Sequence, residues 1–389
     1  MSEEKGCRNS FAVLHYGMVG GGPGSFVGDV HRKAVNFDGQ AILTAGCFSQ
    51  SYAKTLKTGE VLKLDPARLY RDFAEMARKE AARADPIDFV VIVTPNYAHY
   101  EIVKAFLENG IHVVCDKPLA VTVAEAEELA GVARDHDLLF CVSYVYSGYA
   151  MVKQAREMVG RGDLGEIQMV MAEYPGDWLS QAIAKDGAES IWRTDPKYAG
   201  VSNCVADIGS HIENTVSYLT GLRLKSLCAK LDAFGANQVL DTNAMILVSY
   251  TNGASGVYWC SEVAIGHDND LKVRIFGTKG SLEWCQGSPD RLKVAFLGQP
   301  VRIFSKGADY LYPSAIKRAR VPAGHPEGYY EAFANIYQVF IHALQKKKAG
   351  EKLKEEDLDF PNVEAGINGV KFINRCVESS RQGSVWVSW

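Results

Sequence analysis

Asp207 and His211 stand four residues apart in Ala206-Asp207-Ile208-Gly209-Ser210-His211, a spacing that puts both side chains on one face of a helix. A carboxylate so placed orients an imidazole and raises its basicity, as a general base requires. Gly209 between them costs about 1 kcal/mol against alanine inside a helix, which implies that something approaches that helix closely. A second centre is Cys115-Asp116-Lys117-Pro118. Proline cannot donate to a sheet ladder and turns the chain there, aiming the Lys117 ammonium into a cleft. Together these groups offer a proton acceptor, His211, and a cation, Lys117, that stabilises a developing alkoxide.

A third feature supplies a partner for that chemistry. The first apolar run leads into Gly20-Gly21-Gly22-Pro23-Gly24-Ser25-Phe26-Val27-Gly28, where small residues let backbone approach a pyrophosphate at the start of the next helix. Gly20, Gly22, Pro23, Ser25 and Phe26 are the candidate contacts. The spacing is longer than GxGxxG, as though the turn carried an insertion. Two further runs end in Thr94-Pro95-Asn96-Tyr97-Ala98-His99 and in Asp116-Lys117, at the sheet edge where dinucleotides bind; Thr94, Pro95, Asn96, His99, Asp116 and Lys117 join the cofactor set. The second run ends Cys47-Phe48-Ser49-Gln50, without the acid that usually holds the ribose hydroxyls of NAD. Ser49 with Lys54 tolerates a 2′-phosphate, so the expected cofactor is NAD with NADP not excluded.

The elements that position these groups follow from periodicity. Between residues 11 and 145, apolar runs near 12–19, 41–47, 87–93, 111–115 and 138–143 alternate with helical patterns, which predicts a doubly wound parallel sheet. Asp65-Pro66 predicts a helix running to about Ala84, Gly110 stops a helix over 102–107, and Thr122-Val123-Ala124-Glu125 fits a capping box. Beyond Gly165, alternating segments at 166–174, 224–234, 242–251, 254–262, 270–276 and 281–285 predict a large, mainly antiparallel sheet, with Asn252-Gly253 as a hairpin turn and helices near 205–220, 328–347 and 362–380. The expected domains are 1–145, binding the dinucleotide, and 146–389, binding substrate and other subunits. Stretches 175–203 and 298–327 lack periodicity, and loops that long usually serve a site.

Composition narrows the classes. A formal charge of −4 without a basic stripe argues against nucleic acid. No apolar stretch approaches about 18 residues, and the N-terminus lacks a leader pattern, so a cytoplasmic protein with no membrane partner is expected. Nine cysteines contain no CxxC pair, so neither a metal nor a disulfide framework is expected. Cys141 reads as a small buried hydrophobe.

At Gly28 with His31, Thr94-Pro95-Asn96 with His99, Cys115-Asp116-Lys117-Pro118 in place of the usual Glu-Lys-Pro, and Asp207 with His211, the sequence resembles the Gfo/Idh/MocA oxidoreductases over essentially its whole length. The resemblance implies an N-terminal Rossmann domain, then an α+β domain whose open sheet commonly mediates dimers or tetramers. It also implies roles for Lys117, Asp207 and His211 around the reacting carbon. The departures are the long glycine turn, the missing acid, Gly200-Val201-Ser202-Asn203-Cys204 in place of a glycine-rich lead, and Tyr146 where many members carry a basic residue. For substrate, Tyr146, Trp178, Trp192, Arg193, His211, His267, His325 and Tyr329 are the candidate cleft residues. Aromatic faces with few hydrogen-bonding groups suit a neutral sugar, glycoside or inositol. The leading expectation is a reversible dehydrogenase acting on a ring hydroxyl, for instance at C3 of a glucoside. The alternatives are a glycosidase or lyase that retains NAD with no net redox, and a non-enzymatic dinucleotide sensor. The expected partners are a small sugar-like substrate and further copies of the chain, as a homodimer or homotetramer.

Overall fold

The computed structural model describes residues 12–186, 192–235 and 238–389. Five runs, β1 (Leu14–Gly20), β2 (Ala41–Cys47), β3 (Phe89–Val93), β4 (His112–Cys115) and β5 (Phe140–Val142), pair in parallel in the order β2-β1-β3-β4-β5. Helices cover both faces, so Val90, Val91, Ile92, Val113 and Val114 are all buried and the runs are continuously apolar rather than alternating. The chain moves one way from β1 to β2 and the other way from β1 to β3, which opens a crevice beyond the carboxyl ends of those strands.

Local chemistry starts each helix. Ser25 accepts from Gly28 N at the head of helix Phe26–Asn36, and Thr122 and Glu125 form the expected capping box for Val123–Asp135. The helix expected from Asp65 to Ala84 is instead broken in two. Asp65 caps only a 3₁₀ turn, Pro66–Arg68; Tyr70 N then bonds to Gly46 O of β2 at 2.9 Å, and Asp72 restarts a helix, Phe73–Ala81, by accepting from Glu75 N. Pairing of 69–70 along β2 outweighs helix continuation there.

The second unit is a nine-stranded sheet of β6 (Ile167–Pro175), β7 (Leu224–Asp232), β8 (Asn243–Tyr250), β9 (Ser255–Ser261), β10 (Lys272–Gly277), β11 (Gly280–Cys285), β12 (Arg291–Phe296), β13 (Arg302–Ser305) and β14 (Val387–Ser388). Its order is β13-β12-β11-β10-β6-β9-β8-β7-β14, antiparallel except between β6 and β9. Gly253, at φ +92°, makes the turn between β8 and β9, with Asn252 Oδ1 accepting from Ala254 N. The two stretches without periodicity are not plain loops. The later one holds β13, a half-exposed edge strand, and helix Pro313–Ile316; the earlier one holds helix Trp178–Asp186 and helix Pro196–Ala199, with 187–191 outside the described residues.

One face of this sheet packs against helices Ala150–Gly160, Ser210–Thr220 and Val363–Arg381, burying Val170, Ile246, Tyr258 and Ile275. The other face exposes Met169, Met245, Leu247 and Val257, with Met245 at 57%. Helix Tyr329–Lys348 returns to the first domain, where Tyr337 OH meets His31 Nδ1 at 2.5 Å.

Candidate active site

A cleft of about 560 Å³ runs from Phe26 and Val27, at the head of the first helix, past Thr94, Asn96, Asp116, Lys117 and Ser143, to Asp207 and His211. That size is ordinary for a small-molecule site. Its far wall includes Tyr174, Trp178, Trp192, Arg193, Asn203 and Tyr329.

The three groups singled out for chemistry do meet in it, in an arrangement that differs from the expected one. Lys117 Nζ donates to Asp207 Oδ1 at 2.8 Å and to Asp207 O at 2.6 Å. Arg193 Nε lies 3.5 Å from the same carboxylate oxygen, its guanidinium over the Trp192 ring at 4.5 Å. No bond joins Asp207 to His211, whose Nδ1 is buried without a partner. Residues Val205–Gly209 form a π-turn ahead of the α-helix Ser210–Thr220; Asp207 and His211 both reach the cleft, but the carboxylate is taken up by Lys117 and Arg193 rather than by the imidazole. The close approach at Gly209 is by β9: a Cβ there would lie 3.2 Å from Cys260 Sγ.

Electrostatics follow from this geometry. Burial alone would raise the Asp207 carboxyl, but Lys117 and then Arg193 more than offset it and hold it well below the usual carboxylate range. Burial, reinforced by the Lys117 charge, pushes the His211 imidazole down to about 3 and outweighs the raising effect of Asp207, so the ring is neutral but less basic than a free imidazole, contrary to the gain in basicity expected from the Asp207 carboxylate. Its ring is boxed by Tyr144 and Tyr146, both edge-on, and by Tyr174. Asp116 Oδ1 accepts from Ser143 Oγ at 2.6 Å and from Lys117 N at 2.9 Å.

Several expected contacts stand elsewhere. His99 is buried and joins the two strand-end loops, Nδ1 to Pro118 O and Nε2 to Thr94 O, each at 2.8 Å, so it positions the cleft wall rather than facing a ligand. Tyr146 lies behind the wall, bonded to Tyr174 OH at 2.6 Å and to Gln286 Oε1 at 2.9 Å. His267 is half-exposed and pairs with Asp270, and His325 sits in an exposed turn; neither lines the cleft, because the loops carrying them run outward. Ser49 lies two residues past the end of β2 and outside the cleft lining, its Oγ accepting from Ser51 N. Gly20, Gly22, Pro23, Ser25 and Pro95 shape the turns next to Phe26 and Asn96 without lining the cleft themselves. Sequence reasoning missed Ser143, Asn203, Tyr174 and Gln286. Ser143 and Tyr174 sit at the carboxyl ends of β5 and β6, a position that alone marks them.

The residues present fit a dinucleotide. Gly20, at φ +83°, leaves no room for a side chain, since a Cβ would sit 2.6 Å from Val93 O, and a Cβ on Gly28 would sit 2.4 Å from Gly21 Cα. The turn is thereby pressed against β3 and delivers the head of helix Phe26–Asn36, whose first amides have no intrahelical acceptor, to the cleft. Thr94 Oγ1, buried and unpartnered on the opposite lip, is free to bond a ligand hydroxyl.

Relatives agree with this geometry. Residues 14–144 match the model described as oxidoreductase family, NAD-binding Rossmann fold, and residues 152–283 match the GFO/IDH/MocA C-terminal domain. The chain belongs to the Gfo/Idh/MocA family and is an NAD-binding oxidoreductase. It is 37% identical to the uncharacterized oxidoreductase YfiI of Bacillus subtilis over 97% of both chains. An inositol dehydrogenase homolog from Azotobacter vinelandii, solved with NAD+, superposes with a TM-score of 0.92 at 36% identity, covering 97% of this chain and 98% of that one. The levoglucosan dehydrogenase of Pseudarthrobacter phenanthrenivorans is 29% identical over 54% of this chain and 59% of its own. Among the described residues no helix is long and apolar enough to cross a membrane.

Buried ionisable groups set a pH dependence of stability. Burial is the main cause that lowers His31 and His112 to about 4, His211 to about 3, and His99 below its usual value. Burial likewise raises Glu213 to about 8 and, first among its causes, Glu262 well above 4.5. Between pH 4.5 and 6.5 the unfolded chain binds three more protons on His31, His112 and His211 and the folded chain one more on Glu213, so stability falls with acid. Above 6.5 Glu213 dominates and stability falls as pH rises, until Lys153, lowered by burial to about 8, begins to lose its proton in the folded chain and opposes the fall; each net proton is worth about 1.4 kcal/mol per pH unit. Thermal unfolding is expected to show a maximum near pH 6.5; a midpoint still climbing from pH 6.5 to 8 would contradict it.

Proposed function

We propose that the protein is an NAD-dependent dehydrogenase that oxidises a secondary ring hydroxyl of a neutral sugar, glycoside or inositol, and reduces the ketone in reverse. The observation that carries the reading is the meeting of the Lys117 ammonium and a neutral His211 imidazole at the end of a cleft that begins at the glycine turn. Nicotinamide, when bound, supplies the carbon that exchanges hydride with the substrate. His211 takes the hydroxyl proton, and the Lys117 ammonium, steered by Asp207, bonds the oxygen on which negative charge develops. Thr94, Asn96, Asp116 and the head of helix Phe26–Asn36 hold the dinucleotide. Trp178 and Trp192 offer apolar faces to a ring, while Arg193 is already engaged by Asp207 and Trp192, which favours an uncharged substrate. The named activities of the inositol and levoglucosan dehydrogenases are of that class. A panel of sugars, glycosides and inositols with NAD and with NADP, read by reduced-cofactor absorbance and product analysis, tests the reading. Reduced cofactor with a ketone product is expected; silence across the panel in the presence of bound NAD contradicts it.

The reading includes assembly through the open sheet. Met245 and Leu247 of β8 stand beside Trp259 and Val257 of β9, making a continuous apolar patch that no helix among the described residues covers. Light scattering is expected to report a homodimer or homotetramer, and a 42.7 kDa particle at micromolar concentration would refute it.

A further inference from the structure

Hydride and proton transfer leave Tyr146 and Tyr174 without a task, although both rings lie against His211, at 5.0 and 6.2 Å between centroids. Strand register shows where they lead. Lys272 of β10 lies opposite Glu173 of β6 and Cys285 of β11, so one step further along the sheet Tyr174, Leu271 and Gln286 share a row, with Gln286 N donating to Leu271 O at 2.8 Å. Side chains two residues apart along a strand share a face, and Ala172, Tyr174, Leu271 and Trp284 are buried, so this row ends on the helix-covered side. Tyr174 and Gln286 stand two strands apart, roughly 9–10 Å. Tyr146, from the turn Val145–Gly148, fills the interval: its hydroxyl meets Tyr174 OH at 2.6 Å and Gln286 Oε1 at 2.9 Å.

Counting protons gives this chain a direction. Three oxygen–oxygen contacts depend on two phenolic protons, the third being Tyr174 OH to Asn269 Oδ1 at 3.4 Å. The two short contacts take the protons, so Tyr174 donates to Tyr146 and Tyr146 donates to Gln286. Burial raises both phenols above the ordinary tyrosine value, which keeps those protons in place. The Gln286 carbonyl is thereby turned to the wall behind the cleft. Its Nε2, on the other arm of the amide, bonds no acceptor among the described residues, yet it is not sealed from solvent, and Gln286 lines the cleft. Two N–H donors are held at the cleft wall with nothing in the described protein to receive them. His211 and Lys117 take the reacting hydroxyl, so the oxygen within reach of Gln286 is another one on the ring.

We propose that Gln286 is a specificity-determining residue, its Nε2 donating to a substrate hydroxyl away from the reacting carbon, and that Tyr146, braced by Tyr174, is the positioning residue that fixes the amide. The role rests on the dehydrogenase reading above. Full-length protein with NAD is assayed on the substrate that the panel identifies and on its single-deoxy analogues at the other ring carbons. Gln286→Met, which keeps the side-chain length and removes both donors, should raise KM about tenfold, the size of one neutral hydrogen bond, with a smaller change in kcat. Gln286→Leu should repeat the result, and calorimetry of NAD shows that each variant is folded. Tyr146→Phe should raise KM less, and the double variant no more than Gln286→Met, because the brace then has nothing to hold. One deoxy analogue should lose about tenfold in kcat/KM with the unaltered protein and nothing with Gln286→Met. An unchanged KM in Gln286→Met, single effects that multiply in the double variant, or deoxy losses identical in both proteins would each overturn the proposal. Silence of the unaltered protein on every substrate ends the dehydrogenase reading and this role with it, whereas turnover indifferent to Gln286 ends this role alone.

Discussion

Replacing His211 with alanine is expected to lower turnover by about 100- to 10,000-fold while leaving dinucleotide affinity nearly unchanged, the usual contribution of a general acid–base group. The neutral imidazole at the end of the cleft can accept a proton without first losing one, and unlike the Asp207 carboxylate it is not held by Lys117 and Arg193. Lys117→Ala should fall in the same range, since its ammonium is the cation aimed at the developing alkoxide. Asp207→Asn removes the charge that holds Lys117 at 2.8 Å rather than a support for His211, so it should resemble a weakened Lys117 variant. Steady-state kinetics with parallel calorimetry of NAD checks all three. If His211→Ala keeps near-full turnover across pH with NAD still bound, the proton travels by another route.

The second large effect concerns the glycine turn. Gly22→Asp is expected to abolish dinucleotide binding, and the reason is geometric before it is electrostatic. A Cβ on Gly22 would lie 2.8 Å from the Phe48 carbonyl oxygen, a backbone atom that cannot swing aside. The turn would have to lift off β2, carrying the head of helix Phe26–Asn36 with it, and the added carboxylate would also repel pyrophosphate. Gly22→Ala should therefore weaken binding too; at Gly24 a Cβ meets nothing within 4 Å, but its backbone stands at φ +80°, so Gly24→Ala adds backbone strain rather than a clash. Calorimetric titration with NADH distinguishes them; equal affinities for the Gly22→Asp and unaltered proteins would remove the turn from the cofactor site.

Much of this was legible in the sequence because the doubly wound half is built from local signals. Thr122, Gly110 and the five apolar runs each act within a few residues of themselves. The helix expected from Asp65 failed because pairing of Tyr70 with Gly46 is a long-range contact, invisible to a window around Asp65. Lys117, Asp207 and His211 carry titratable chemistry at telling positions, yet their pairing was misread. The i, i+4 spacing does bring both to one cleft, but the Asp207 carboxylate bonds Lys117, ninety residues away, with Arg193 beside it, and such long-range partners leave no mark in a local window. His267 and His325 illustrate the opposite difficulty. Their residue types suit a sugar site, but which way an exposed loop runs is decided by the whole sheet beneath it. Ser143 and Tyr174 escaped notice because their types are common and only the strand ends mark them.

The central claim, transfer of hydride between a ring carbon and nicotinamide, is tested most directly with isotope. The substrate that the panel identifies is deuterated at the carbon bearing the reacting hydroxyl and incubated with NAD and the intact protein, and the reduced cofactor is examined by mass spectrometry. The account predicts one deuterium per reduced nicotinamide formed and a ketone at that carbon. Reduced cofactor without the label, or a cleaved glycoside with no net reduced cofactor, would contradict it.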